Sequence, residues 1–255
     1  MAMVLLKAAA RWLRSMPAAI SRAREDIAAV RCNDPAARSA VEVVFLYPGI
    51  HALWLHRVAH DLWTHKAIFA ARSVSHMNRF LTGIEIHPGA KLGRRVFIDH
   101  GMGIVIGETA TVGDDCLLYK GVVLGGVSLA RTVRHPQLGQ GVVVGSNACV
   151  LGAIDVGAHA RIGSGSVVVR PVPEGATVVG VPARVIVPAK SRVDAALDHA
   201  NLPDPVTDMV RALVAQNEQL RQRLVRLEDR LGIEHAEEEF VLPYEGEELP
   251  PADGG

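Results

Sequence analysis

The chain has 255 residues, room for one large domain or one domain with appendages. Its 27 basic and 27 acidic residues cancel, so bulk charge gives no case for nucleic acid or an anionic membrane as partner. Three widely spaced cysteines without a CxxC fit a reducing, cytoplasmic setting, and no apolar run reaches the ~18 residues that a membrane span needs.

Residues 1–82 read as an N-terminal helical domain. Met1 to Arg24 carries Lys7, Arg11, Arg14, Arg22 and Arg24 and no acid, a composition shared by transit peptides and amphipathic helices. The expectation is an amphipathic helix of the folded domain. Asn33-Asp34-Pro35 offers a helix cap followed by Pro at the first helical position. Pro48-Gly49 breaks the run, and His51 to Phe80 continues it without Pro or Gly.

From residue 83 the period changes. Aliphatic residues recur every six positions at Ile86, Leu92, Ile98 and Ile104, then after a slip at Ile106, Val112, Leu118 and Leu124. The series resumes at Leu138, Val144, Val150, Val156, Ile162 and Val168. Gly often follows, and a smaller residue comes four places on, as at Ala90, Ala110, Cys116 and Ala148. Helices repeat every 3.6 residues and strands every 2, so a sustained period of six fits neither. It fits a left-handed parallel β-helix of hexapeptide repeats, whose aliphatic side chains stack inside a triangular prism over residues 83–190. The following Gly is expected to ease the tight corner. Aromatic residues make up only 4%, as suits a core of small and β-branched side chains.

The step from Leu124 to Leu138 is eight residues longer than a repeat, which throws out a loop at 127–137. Residues 191–233 read as a linker, Leu202-Pro203-Asp204-Pro205, and a heptad helix. Val206, Val210, Leu213, Asn217, Leu220, Leu224, Leu227 and Leu231 alternate spacings of four and three, the pattern of a short coiled coil with one polar residue in its seam. The acidic segment 234–255 has the composition of a disordered tail.

Polar residues that interrupt the repeat are the candidates for chemistry. Glu85 precedes His100 by 15 positions, and an 18-residue coil would bring the two together, carboxylate beside imidazole, as suits a general base. Arg134-His135 closes the loop, and an Arg there can grip a carboxylate through two parallel hydrogen bonds. Cys116 and Cys149 read as small inward residues, not nucleophiles, and His87 and His159 as corner residues. These histidines lack the paired spacing of a seam zinc site, so no metal is expected.

Over residues 31–186 the chain resembles the serine acetyltransferase family. The matching segments run in order: Asn33-Asp34-Pro35-Ala36, Tyr47-Pro48-Gly49-Ile50-His51-Ala52, Gly83-Ile84-Glu85-Ile86-His87-Pro88-Gly89-Ala90, Ile98-Asp99-His100-Gly101-Met102-Gly103, Gly107-Glu108-Thr109, Leu124-Gly125-Gly126, Arg134-His135-Pro136 and Gly180-Val181-Pro182-Ala183-Arg184. The resemblance implies a serine O-acetyltransferase of cysteine biosynthesis that uses acetyl-CoA as co-substrate and holds no permanent cofactor. His100 would be the general base in a direct transfer, steadied by Glu85. Asp34 and Asp99 would bind the serine amino group, Arg134 its carboxylate, with His135 a second substrate-side imidazole. Acetyl-CoA would lie along a seam between prisms, near Gly125, Gly126, Gly163, Gly180 and Ala183, in a homotrimer or larger assembly open to feedback by L-cysteine. Two departures stand out. The family's Gly-rich loop is here Val127-Ser128-Leu129-Ala130-Arg131-Thr132-Val133, and the chain lacks the terminal Ile that docks relatives on O-acetylserine sulfhydrylase. The competing readings are an acyltransferase for another amino acid or a sugar, and a non-catalytic trimeric scaffold.

Overall fold

The computed structural model describes residues 2–187 and 205–231. The linker residues 191–204 and the acidic tail 234–255 therefore lie outside the described residues. Four helices come first: α1 (Ala2–Asn33), α2 (Ala40–Leu46), α3 (Pro48–Thr64) and α4 (Ile68–Thr82). The acid-free N-terminal stretch is thus part of one long helix. The predicted helix start at Asp34-Pro35 is not one. The Asp34 carboxylate instead accepts the Ala36 N–H at 2.8 Å, closing a turn, and the Ser39 hydroxyl caps α2 by accepting the Glu42 N–H at 3.1 Å. Pro48 does open a helix, α3, as its missing N–H allows.

Asp26 joins α1 to α3. Its carboxylate is 1% exposed and takes both Arg57 guanidinium nitrogens, at 2.6 and 2.8 Å, plus the Trp54 indole N–H at 3.0 Å. The α4 helix is tied to the prism by the Ser75 hydroxyl, which donates to the Ile86 carbonyl at 2.7 Å.

The prism begins at Glu85. Its first turn holds β1 (Glu85–Ile86), β2 (Lys91–Leu92) and β3 (Phe97–Asp99); its second, β4 (Val105–Ile106), β5 (Thr111–Val112) and β6 (Leu117–Tyr119). The third holds β7 (Val123–Gly125), β8 (Gln137–Leu138) and β9 (Val143–Val144); the fourth, β10 (Cys149–Leu151), β11 (Asp155–Val156) and β12 (Arg161–Ile162). The fifth holds β13 (Val167–Val168), a bridge at Val172 and β14 (Thr177–Gly180), on which β15 (Ala183–Val187) folds back antiparallel. Every third strand pairs in parallel, giving three sheets: a first face from β1, β4, β7, β10 and β13, a second from β2, β5, β8 and β11, and a third from β3, β6, β9, β12 and β14. This is a parallel β-solenoid of five turns, matching a left-handed β-helix.

The inward series is as the period requires: Ile86, Ile106, Leu118, Leu124, Val144, Val150 and Ile162 are all within 1% of full burial. Each such side chain contributes roughly 1.5–3 kcal/mol by leaving water. Two details differ from the sequence reading. Cys149 is half-buried and outward, because Val150 is the inward residue of β10 and its neighbour must point the other way. Cys116 is inward as expected, and burial pushes its thiol up to about 11. The repeat glycines are small for a different reason from corner conformation: a Cβ on Gly157 would lie 2.4 Å from the Glu174 nitrogen of the next rung. The left-handed corners fall instead on residues such as Asp115, Asn147 and His159.

The C-terminal α5 (Pro205–Leu231) forms a unit by itself. Leu213, Leu220, Leu224 and Leu227 of its seam are between 56% and 58% exposed.

Candidate active site

Two edges of the prism carry the predicted site residues. The first edge is where the third face turns into the first. There β3 ends at Asp99, and His100 and Gly101 turn the chain with φ of 58° and 69°. Four residues, 100–103, make this corner, and the Gly103 N–H returns to the Gly83 carbonyl at 2.9 Å. The junction of α2 and α3 is pressed onto β3: a Cβ on Gly49 would stand 2.3 Å from the Ile98 carbonyl oxygen. That brings Tyr47 and Asp34 to the edge, where the Tyr47 hydroxyl donates to Asp34 Oδ2 at 2.6 Å. Burial, then the Asp34 hydrogen bond and charge, push the Tyr47 phenol up to about 12. The Asp99 carboxyl is raised by burial, lowered by the adjacent His100 and raised again by the charge of Asp34. Two carboxylates within electrostatic reach of one another favour a cation between them, such as an ammonium group.

His100 is open. Its side chain is 80% exposed, with Nε2 3.8 Å from Asp99 Oδ1. Glu85 lies on the same edge, but its carboxylate pairs with Arg79 Nη1 of α4 at 3.1 Å, and no ion pair joins it to His100 among the described residues. The expected dyad contact is therefore absent, for two physical reasons. The first coil has twenty residues, not eighteen, so Glu85 pairs in register with Val105 and His100 closes the turn that Glu85 opens. A helical arginine, invisible to the six-residue period, then takes the carboxylate.

The second edge is where the first face turns into the second. Here Gly107-Glu108-Thr109 follows β4, β7 ends at Gly125 with Gly126 next, and the 127–137 loop returns with Arg134-His135. Arg134 Nη2 bonds Glu108 Oε2 at 2.6 Å. The Thr109 hydroxyl accepts the backbone N–H of Arg134 at 3.0 Å and of His135 at 3.1 Å. It also meets His135 Nδ1 at 2.8 Å, which the Thr109 N–H approaches at 3.2 Å. The His135 imidazole is 8% exposed. Burial first and Arg134 second hold its pKa below the ordinary value, against a smaller opposing effect of Glu108. Gly126 is close-packed beneath the loop return, with its Cβ position 3.1 Å from the Arg134 carbonyl oxygen.

Of the remaining predicted residues, Gly163 follows β12, and its N–H donates to the Val178 carbonyl at 2.9 Å. Gly180, with φ of 101°, and Ala183 frame the hairpin of β14 and β15, and the Gly180 N–H reaches the Ser166 hydroxyl at 3.2 Å. All three lie on the side of the first edge. Sequence reasoning gave no role to Glu108, Thr109, Tyr47 or Arg79.

One chain does not bring the two edges together. The first face separates them, and about five residues at ~3.3 Å each make roughly 16 Å, several times the length of an amino acid. From its second strand onward that face is apolar outside as well as in: Val105, in register with Glu85 of β1, is 37% and Val169 46% exposed, with Val123, Cys149, Leu151 and Val167 half-buried. The second face is polar, with Lys91, Thr111, Gln137 and Asp155 in the equivalent positions.

Comparison with known proteins identifies the relatives of the chain. The family profile "Serine acetyltransferase, N-terminal" matches residues 1–54, so the likeness reaches upstream of residue 31. A serine acetyltransferase of Bacillus licheniformis is 50% identical over 205 residues, covering 80% of this chain and 95% of that protein. Among solved structures, a serine acetyltransferase in complex with cysteine superposes with a TM-score of 0.67 at 40% identity, covering 69% of each chain. Another in complex with CoA gives a TM-score of 0.64 at 40% identity, covering 68% of this chain and 72% of that one. Among the described residues no group of three or more His, Cys, Asp or Glu is placed to hold a metal ion.

Proposed function

The chain belongs to the serine acetyltransferase family, and we propose that His100 performs its proton transfer at a site completed by a second copy of the chain. The reaction moves the acetyl group of acetyl-CoA to the hydroxyl of L-serine, giving O-acetylserine and CoA, a step of cysteine biosynthesis. His100 takes the hydroxyl proton as the oxygen attacks the thioester carbonyl. The tetrahedral intermediate expels the CoA thiolate, which receives that proton. Asp99 and Glu85, on the same edge, favour the imidazolium formed on the way. Asp34 and Asp99 hold the serine ammonium, and Arg134 turns from Glu108 to grip the carboxylate with its planar fork. His135 stands beside it. Acetyl-CoA runs along the seam between prisms, past Gly125 and Gly126 of one copy and Gly163, Gly180 and Ala183 of the next.

The observation that carries this reading is the division of the site between two prism edges. A homotrimer in which apolar first faces meet would set the acid–imidazole edge of one copy against the arginine edge of its neighbour. The α5 seam supplies a further contact between copies, as a short coiled coil. L-Cysteine, differing from serine in one atom, fits the same groups and acts as a feedback inhibitor. A cytoplasmic setting fits the free thiols of Cys32, Cys116 and Cys149, and no described helix is long and apolar enough to cross a membrane.

One observation favours a different acceptor. The loop carries exposed Val127, Leu129 and Val133, at 70%, 104% and 59%, where the family has glycines. Thiol release from acetyl-CoA, measured across L-serine, L-homoserine, other hydroxy amino acids and sugars, separates the two. Saturable turnover with L-serine above all others is expected; turnover with another acceptor and none with serine overturns the assignment.

A further inference from the structure

We propose that Thr109 is a positioning residue that locks His135 as a neutral imidazole protonated on Nε2, making His135 a hydrogen-bond donor to substrate and removing it as a base. The substrate it faces rests on the reading above; the lock itself does not.

Two independent hydrogen-bond arguments assign the proton. The Thr109 backbone N–H points at His135 Nδ1 from 3.2 Å, and an N–H cannot donate to a nitrogen that carries its own hydrogen, so Nδ1 presents its lone pair. The Thr109 hydroxyl oxygen already accepts two backbone N–H groups, of Arg134 at 3.0 Å and of His135 at 3.1 Å. Both lone pairs are then used, and the hydroxyl proton is left to donate to Nδ1 at 2.8 Å. With Nδ1 an acceptor twice over, the proton of the neutral ring sits on Nε2.

The ring cannot escape by flipping. It is 8% exposed and wedged over Gly107, whose Cβ position lies 2.0 Å from Cδ2 and 2.1 Å from Nε2. A flip would set a carbon against both Thr109 donors. A second proton would have to go on Nδ1, facing the Thr109 N–H, beside the Arg134 cation. The two histidines of the site therefore divide the work: exposed His100 is free to accept a proton, and His135 offers Nε2–H to an oxygen that carries negative charge.

The test uses the full-length protein labelled with 15N-histidine, with the His135 signals assigned by their loss in His135→Gln. At about pH 7.5 the proposal expects Nδ1 in the range of an unprotonated imidazole nitrogen and Nε2 in that of a protonated one. Thr109→Ser keeps the hydroxyl and should retain this signature and kcat within about threefold, whereas Thr109→Val should lower kcat about tenfold or more with the KM for acetyl-CoA held within about twofold. In Thr109→Val the His135 signals should also titrate at higher pH, because Nδ1 has lost a donor. A proton on Nδ1 in the wild-type protein overturns the proposal, as does a Thr109→Ser enzyme as impaired as Thr109→Val. An Nε2–H signature in a protein inactive on serine would leave the lock standing and sink only the substrate assignment.

Discussion

Gly107→Ala offers a sharp perturbation of the second edge. The added methyl would meet His135 Cδ2 at 2.0 Å, Nε2 at 2.1 Å and Cγ at 2.9 Å. Carbon atoms pack at about 3.5–4.0 Å, so the ring must retreat by roughly 1.5 Å. The Thr109 hydroxyl contact of 2.8 Å then stretches beyond hydrogen-bond range. A misplacement of about 1 Å at a reacting centre can cost ~10²-fold in rate, and a loss of that order in kcat/KM for serine is expected. The prism core lies on the other side of the sheet, so stability should fall only by about 1–3 kcal/mol, typical of an overpacked site. The assay is thiol release at varied serine, with a thermal melt alongside. A folded Gly107→Ala enzyme within threefold of wild type would refute the claim that the placed His135 ring matters to the reaction.

His100→Ala should retain the fold, since the ring is exposed, and lose about 10²–10⁴ in kcat; unchanged turnover in the thiol assay would remove it as the base. Asp26→Ala strips the buried partner from Arg57 and Trp54 and should destabilise the helical domain by about 3 kcal/mol, read by denaturant melting, with Asp26→Asn milder. Burial also fixes a pH dependence. The His56 imidazole is held neutral, its pKa pushed down from 6.5 to about 3, chiefly by burial and next by the charge of His60. The unfolded chain takes up a proton at the ordinary value, so below pH 6.5 it binds more protons than the fold and stability declines toward pH 3, by at most roughly 1.4 kcal/mol per unit. Melting scans from pH 7 to 4 should show this slope for the wild type and a shallower one for His56→Gln.

Much of the architecture is written in the six-residue period, because an inward side chain at each rung leaves the solenoid little choice. The same arithmetic could have found Thr109 and Glu108. Each precedes its partner, His135 or Arg134, by 26 residues, which is one 18-residue coil plus the eight-residue insertion of the loop. What the period hides is whatever departs from it. Two additional corner residues around His100 move the register of the first coil to twenty. Cys149 stands one position before the inward Val150, and a single step reverses a strand side chain. The partners of Glu85 and Asp26, Arg79 and Arg57, come from helices whose placement no local pattern encodes. The covering of β3 by Tyr47 and Asp34 likewise depends on Gly49 allowing a helix to touch a strand backbone.

The proposed active site draws on two copies of the chain, and subunit mixing tests it. His100→Ala damages one edge and Arg134→Ala the other, so each homotrimer should be nearly inactive. Co-assembled at equal ratio, about one quarter of the seams would join an intact His100 edge to an intact Arg134 edge, and roughly that fraction of wild-type activity should return. If the mixed trimers stay as inactive as their parents, both edges serve a site within one chain and the account is wrong.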